Sequence, residues 1–264
     1  MFKLGILGVG KMGSAILEGV IKSEVYTVFD VMLYTPELDI QAKYKAEGFV
    51  IADNELDLFS SCESILIAIK PQMFEEVLSY AKGLDFINKC VISIAAGQTI
   101  ATVESYFKNA TVVRVMPNTP ALIKSAATAL CYNRYNNLVE KAKDIFKSIG
   151  TVEEITEDKM NESLPLNGSM PAYLYLFAKA FIENGVKLGI DYETSKRLCC
   201  NAIIGSAKMI LESPENIDTL INNVCSKGGT TIAGLNELYD KGFVEAIDEC
   251  YKACVNRAIE LNQK

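Results

Sequence analysis

Histidine is absent from all 264 residues, and with it the side chain that most often does general acid–base work. Any reaction assigned to this chain has to run on hydroxyls, carboxylates, lysines, backbone groups or a cofactor. Mixed Cys/His zinc sites are excluded for the same reason. The eight cysteines, at 62, 90, 131, 199, 200, 225, 250 and 254, form no CxxC pair, and although Cys250 and Cys254 share a helix face, two thiolates make a poor structural metal site. No metal is expected. A basic excess is also missing: 26 Lys and Arg face 33 Asp and Glu, a net charge of −7 that is unsuited to coating nucleic acid. No apolar run reaches membrane-spanning length. The opening "MFKLGILGVG" reads as a strand running into a glycine turn, not as a signal peptide. A reducing cytoplasm is the expected compartment.

Half the residues are apolar, and they are arranged in two styles. Up to about residue 156, short apolar runs alternate with amphipathic stretches. "KLGILG", "VMLY", "SILIAIK", "CVISIAA" and "TVVRVMP" read as strands. Helical patterns lie between and after them, over "MGSAILEGVIK", 38–47, 72–82 and "TIATVESYF". Apolar runs of four to seven residues bounded by turn formers are what strands covered on both faces look like. The alternation predicts an α/β fold with a Rossmann-type doubly wound sheet over 1–156, "ATALCYN" and "TVEEIT" adding strands around the helix "NLVEKAKDIFKSIG". From 157 to 264 the pattern is helical throughout, in "PAYLYLFAKAFIENGVKLG", "YETSKRLCCNAIIGSAKMILES" and "FVEAIDECYKACVNRAIELNQ". The second of these is apolar around much of its circumference, so it needs partners on more than one side, and a second subunit is the common one.

Five short motifs carry chemistry. "GVGKMG" (Gly8, Val9, Gly10, Lys11, Met12, Gly13) follows a strand and opens a helix, the context in which G-x-G-x-x-G signals a dinucleotide cradle. The first glycine makes the tight turn, the second lets a pyrophosphate approach the backbone, and the third lets helix and strand pack closely. The choice between NAD and NADP stays open at this level. If the second strand is "VYTVF", Asp30 closes it and an acid stands ready for a ribose 2′-hydroxyl; if it is "VMLY", it ends in "YTPE" and offers the Thr35 hydroxyl and backbone N–H groups. "AIKPQ" (68–72) and "SIAAGQT" (93–99) place small or turn-forming residues at strand carboxyl ends, where ligands lie in open α/β sheets. "MPNTPA" (116–121) reads as a rigid turn in which Asn118 bonds its own backbone. "SKGGTTIAGL" (226–235) is a diglycine turn into a helix. Its bland reading is a helix boundary with Thr as N-cap, and its functional reading is an anion site made of N–H groups.

In order, "GxGxMGxAIxxG", "AIKPQ", "SIAAGQT", "RVMPNTPA", "GSxPAY" and "SxGGTTI" make the chain resemble the pyrroline-5-carboxylate reductases over essentially its full length. The resemblance implies reduction of L-1-pyrroline-5-carboxylate to L-proline by NADPH or NADH, the last step of proline biosynthesis. It also implies a helical C-terminal substrate and dimerisation domain, and a homodimer able to assemble into decamers. Residues Gly8 to Gly13 are implied to hold the pyrophosphate. Ala68, Ile69, Lys70, Pro71, Ala95, Ala96 and Gly97 are implied to line the cofactor cleft. The resemblance puts Tyr34 and Thr35, with Asn54, at the adenosine ribose, which favours NADP(H), NAD(H) being the alternative. It implies a substrate loop of Ser226, Gly228, Gly229, Thr230 and Thr231 with Asn223 nearby, and Glu157, counted back from "GSMPAY", as a substrate-proximal acid.

Two positions depart from the family's pattern: Met170 stands where it usually has glycine in Ser-Gly-Ser-Gly-Pro-Ala-Tyr, and Lys227 where it has proline in Ser-Pro-Gly-Gly. They keep two alternatives open, a reductase of another small cyclic imine and a non-catalytic NADP-binding paralogue. A β-hydroxyacid dehydrogenase shares the N-terminal pattern but not the "SKGGTTIAGL" element.

Overall fold

The first glycine turn sits where a parallel sheet changes direction. The computed structural model describes residues 1–262, with side chains through Glu260. Strands β1 (Phe2–Leu7), β2 (Val31–Tyr34), β3 (Val50–Ile51), β4 (Cys62–Ile67), β5 (Cys90–Ser93), β6 (Thr111–Met116), β7 (Ala126–Tyr132) and β8 (Gly150–Glu154) form one sheet in the order 3-2-1-4-5-6-7-8. β1 to β6 are parallel; β7 runs antiparallel to β6 and parallel to β8. The order reverses between β1 and β4, so a crevice opens at their carboxyl ends.

Alternation along each strand sends successive side chains to opposite faces. Ile6, Leu33, Leu66, Ile92 and Val113 join one core with Ile16 and Val20 of α1 (Lys11–Lys22) and with Val139, Ile145 and Phe146 of α6 (Asn137–Lys147). Leu7, Ile65, Ile67, Val91 and Val112 join the other. There they meet Leu58 and Phe59 of α3 (Glu55–Ser61), Phe74 and Leu78 of α4 (Phe74–Leu78), and Ile100 and Val103 of α5 (Ile100–Tyr106). With both faces covered, the sheet is doubly wound, as the apolar runs predict. Cys62, Cys90 and Cys131 are buried in these layers, and burial raises their thiols to about 12, about 12 and about 11. They remain protonated and inert at neutral pH.

The second-strand ambiguity resolves to "VMLY". Val28–Asp30 is a 3-10 turn, closed by a reciprocal Thr27–Asp30 capping box. Asp30 therefore precedes β2. Its carboxylate accepts from Thr27 N and Oγ1 and pairs with Lys3 at 3.1 Å, contacts that hold it below the usual carboxylate range. The stretch 72–82, expected as one helix, is only α4 flanked by 3-10 turns at Pro71–Met73 and Ser79–Ala81.

Contacts divide the chain into Met1–Pro171 with the final stretch from Val255, and Ala172–Cys254. The division drawn from composition at 156/157 falls ahead of this boundary, because the segment between is anchored in the first unit. Met160 of α7 (Met160–Ser163) is fully buried there. Asn167 donates its amide to Met116 O at 2.8 Å, and its own carbonyl accepts from Asn118 Nδ2 at 3.0 Å.

The second unit holds most of α8 (Met170–Lys187), all of α9 (Tyr192–Glu212), α10 (Ile217–Val224) and α11 (Thr230–Asp240), and the first part of α12 (Phe243–Asn262). Helices α8 and α9 approach closely at Gly185, where a Cβ would lie 2.8 Å from Ser195 Oγ. Among the described residues of this unit only Ile182 and Ser195 are buried. Leu176, Leu198 and Leu211 are each more than 60% exposed, at 68%, 63% and 84%. Apolar surface on that scale marks an interaction face. Among the described residues, no helix is long and apolar enough to cross a membrane, and no cluster of three His, Cys, Asp or Glu could hold a metal.

Candidate active site

The three glycines of the first turn divide the work as their spacing predicts. Gly8 follows β1 with φ +93°, a left-handed conformation that glycine adopts without strain, and its N–H donates to Tyr34 O at 2.9 Å. Gly10 is the N-cap of α1, no side chain caps it, and a Cβ placed there would meet no protein atom within 4 Å. A Cβ on Gly13 would stand 2.3 Å from Gly8 O. So Gly8 turns, Gly13 closes helix against turn, and Gly10 leaves an open mouth over unpaired N–H groups at the start of α1. That opening fits a pyrophosphate, which needs close backbone approach and a helix N-terminus. Val9 packs inward at 6% exposure, whereas Lys11 is exposed.

A cleft of ≈240 Å³ beside this turn gathers four motifs: Met12; Ala68, Ile69, Lys70 and Pro71; Ala95 and Ala96; and Pro117. Ala68 N donates to Leu7 O at 2.9 Å, which fixes the β4 exit against the β1 exit. Ile94, of the "SIAAGQT" motif, also lines the cleft, and Pro117 brings the rigid "MPNTPA" turn to it. Gly97 lies in the same loop with φ +76°.

At the end of β2, Tyr34 is half-buried and Thr35 is 3% exposed. Burial, then the charge of Glu55, raises the Tyr34 hydroxyl above its ordinary range. Asn54 caps α3, its Oδ1 accepting from Asp57 N at 2.9 Å, which leaves its amide NH₂ for a ligand.

The turn after β6 differs from its sequence reading. The Asn118 side chain does not bond its own turn: Oδ1 accepts from Ala127 N at 3.1 Å and Nδ2 donates to Asn167 O. The Asn118–Asn167 pair thus ties the β6 exit to β7 and to the start of the helical segment. Replacing Asn167 by Ala removes its buried side-chain bonds to Met116 O and from Gly168 N, at a cost of about 2 kcal/mol. We expect a thermal midpoint about 5 °C lower by calorimetry; an unchanged midpoint would show that the clamp carries no stability.

Glu157 takes part in the first unit's own architecture. Its Oε1 accepts from Ile100 N, the first residue of α5, at 2.6 Å and from Arg114 Nη1 at 3.3 Å. Arg114 is 3% exposed, and its Nε and Nη2 have no partner among the described residues. The arginine of "RVMP" is therefore a buried charge whose counter-charge is Glu157, a pairing that residue spacing could not supply.

In the helical unit, Ser226, Gly228, Gly229, Thr230 and Thr231 come together as one turn. Gly228 has φ +71°, Gly229 N donates to Ser226 O at 2.9 Å, and Gly229 is the N-cap of α11. Neither threonine caps the helix: Thr230 and Thr231 are its first two residues, and no side chain bonds its leading N–H groups. The bland reading, Thr as N-cap, is thereby set aside. A Cβ on Gly229 would lie 2.3 Å from Ser226 Oγ, so serine covers this glycine. Asn223, one helix back, donates to Glu215 Oε2 at 2.9 Å. Thr231 and Leu235 border an apolar groove of ≈730 Å³ shared with α9 and α10.

A doubly wound sheet with an open glycine cradle at its switch point, followed by a helical unit, defines a dinucleotide-dependent oxidoreductase of the Rossmann class. Residues 3–97 match the family described as NADP oxidoreductase coenzyme F420-dependent, and residues 157–261 match pyrroline-5-carboxylate reductase dimerisation. The chain is 34% identical to pyrroline-5-carboxylate reductase of Synechocystis sp. and 32% identical to that of Escherichia coli. The alignments cover 99% of this chain in both cases, and 99% and 98% of those proteins. The crystal structure of Plasmodium falciparum pyrroline carboxylate reductase with NADP bound superposes with a TM-score of 0.88 at 31% identity, covering 99% of this chain and 98% of that one. The chain belongs to the pyrroline-5-carboxylate reductase family.

Proposed function

We propose that the protein reduces the C=N bond of L-1-pyrroline-5-carboxylate to give L-proline, with NADP(H) as cofactor and NAD(H) as the alternative. The observation that carries this reading is the diglycine turn, whose uncapped helix start at Thr230 and Thr231 offers N–H donors and a positive helix end to a small carboxylate. When bound, the reduced nicotinamide supplies a hydride to the imine carbon. The residues of the chain do the rest by placement. Ser226, Gly228, Gly229 and Thr230 shape the turn that takes the carboxylate, and the Thr231 hydroxyl bonds the ring nitrogen. Asn223 steadies the preceding helix through Glu215. A cyclic imine bound in its protonated form is already electrophilic at carbon, so a chain without histidine suffices. Glu157 acts from a distance, orienting α5 below the 93–99 loop.

The cradle residues Gly8 to Gly13, the cleft residues Ala68 to Pro71 and Ala95 to Gly97, and Tyr34, Thr35 and Asn54 at the ribose end make up the cofactor site. We infer a homodimer through the exposed apolar faces of the helical unit, within which decamers are a further assembly, and a cytoplasmic location that keeps the eight thiols reduced. The test is oxidation of NADPH and of NADH, run separately, with racemic pyrroline-5-carboxylate and proline identified as product. Turnover only with a different cyclic imine would move the function to a relative with an altered pocket. Cofactor binding without any turnover would leave a non-catalytic paralogue.

A further inference from the structure

Glu37 belongs to the "YTPE" stretch, yet nothing in the reaction as described uses it. The chain leaves β2 beside the glycine cradle, since Tyr34 O accepts the Gly8 N–H at 2.9 Å. Thr35 to Glu37 therefore begin next to the adenosine side of the crevice, where the end of the second strand meets the ribose in Rossmann folds. There the buried Thr35 hydroxyl donates its hydrogen to the Glu37 carboxylate. The loop is held from below as well, because Gln41 Nε2 donates to Thr35 O at 2.7 Å.

The consequence is chemical. With its proton given to Glu37, the Thr35 hydroxyl has only lone pairs left to offer. Pro36 has no N–H, and Glu37 is an exposed anion that ends in acceptors. Donors remain only in the backbone, at the start of the helix Leu38–Ala46, which no side chain caps; the side-chain acceptors suit a ribose 2′-hydroxyl, which is a donor, and oppose a 2′-phosphate, which is a dianionic acceptor. The adjoining chain is poor in cations: residues 23–42 and 46–69 contain no lysine or arginine, while Glu37, Asp53, Glu55 and Asp57 all lie within them, and only Lys43 and Lys45 fall between. Lys43, on α2 (Leu38–Ala46), is turned to its own helix, lying over the Tyr44 ring and 4.0 Å from Glu47.

We propose that Glu37 sets the choice between the two nicotinamide dinucleotides, its carboxylate on Thr35 accepting the 2′-hydroxyl of NAD(H) and repelling the 2′-phosphate of NADP(H). NADP(H) binds only by taking the Thr35 hydroxyl away from Glu37, so the carboxylate holds NADP(H) affinity below what the loop otherwise permits. This rests on the reading of the glycine cradle as a dinucleotide site, but not on the identity of the imine.

The test uses cofactor fragments, so that binding is read without turnover. Adenosine 2′,5′-bisphosphate and adenosine 5′-monophosphate are titrated calorimetrically into the parent protein, Glu37→Gln and Glu37→Ala. Removing one charge beside a dianion tightens the bisphosphate about tenfold or more, while the monophosphate is unchanged or weaker. The kcat/KM ratio of NADPH to NADH rises by a similar factor. If both fragments shift together, or neither shifts in either variant, Glu37 does not discriminate and the proposal fails. A shifted fragment ranking in a protein that does not reduce pyrroline-5-carboxylate would overturn the proposed reaction and leave Glu37 standing. Reduction of that substrate with an unshifted ranking would do the reverse.

Discussion

Gly10→Ala keeps the thermal midpoint of the ligand-free protein and loses most of its affinity for a dinucleotide, whereas Gly13→Ala loses both. The contrast comes from where the added methyl group goes. At Gly10 it meets no protein atom within 4 Å, so the fold does not register it, but it stands over the N–H groups at the start of α1. At Gly13 it is driven to 2.3 Å from Gly8 O and 3.3 Å from Ala68 Cβ, and helix, turn and the β4 exit must part. Overpacking of this kind costs about 1–3 kcal/mol. Loss of backbone approach to the pyrophosphate weakens binding at least tenfold, about 1.4 kcal/mol. Calorimetric titration with NADP⁺ and NAD⁺, alongside scanning calorimetry of both variants, separates the two effects. Tight binding by Gly10→Ala would remove the turn from the cofactor site.

The second large effect falls on Thr231. Its hydroxyl is exposed at the second position of α11, it is not consumed by capping, and the proposed mechanism gives it the ring nitrogen. Thr231→Ala lowers kcat by about a hundredfold, the scale of losing one well-placed hydrogen bond to the reacting group. Affinity for the dinucleotide stays within about twofold, because the cradle is built from other residues. Thr231→Ser restores most of the rate. Equal losses in turnover and in cofactor affinity would mean that the substitution has disturbed the fold, not the chemistry.

Much of the architecture is legible in the sequence because buried parallel strands declare themselves as apolar runs and the glycine spacing has a steric meaning that survives intact. What was hard to read has identifiable causes. The second strand had two candidate frames because "VYTVF" is as β-prone as "VMLY"; the Thr27-x-x-Asp30 capping pair, which breaks the first frame, is a side-chain bond and leaves no apolar signature. Strand β3 is two residues long, too short for any periodicity, and α3 shows itself only through the Asn54 cap. The pairing of Arg114 with Glu157 and that of Asn118 with Asn167 join residues 43 and 49 positions apart. No local pattern encodes either. At the candidate site, the diglycine turn was visible, but which residue caps the helix depends on backbone angles at Gly228 and Gly229 that composition leaves free.

A unit in which only Ile182 and Ser195 are shielded from water has little internal hydrophobic driving force. In the proposed homodimer, its stability would come through mass action from the partner that covers α9 to α12. Dilution of that dimer would act like a mild denaturant. The turn at Gly228 and Gly229 would be lost with it, so folding of the helices and readiness for chemistry would be set by one concentration-dependent equilibrium.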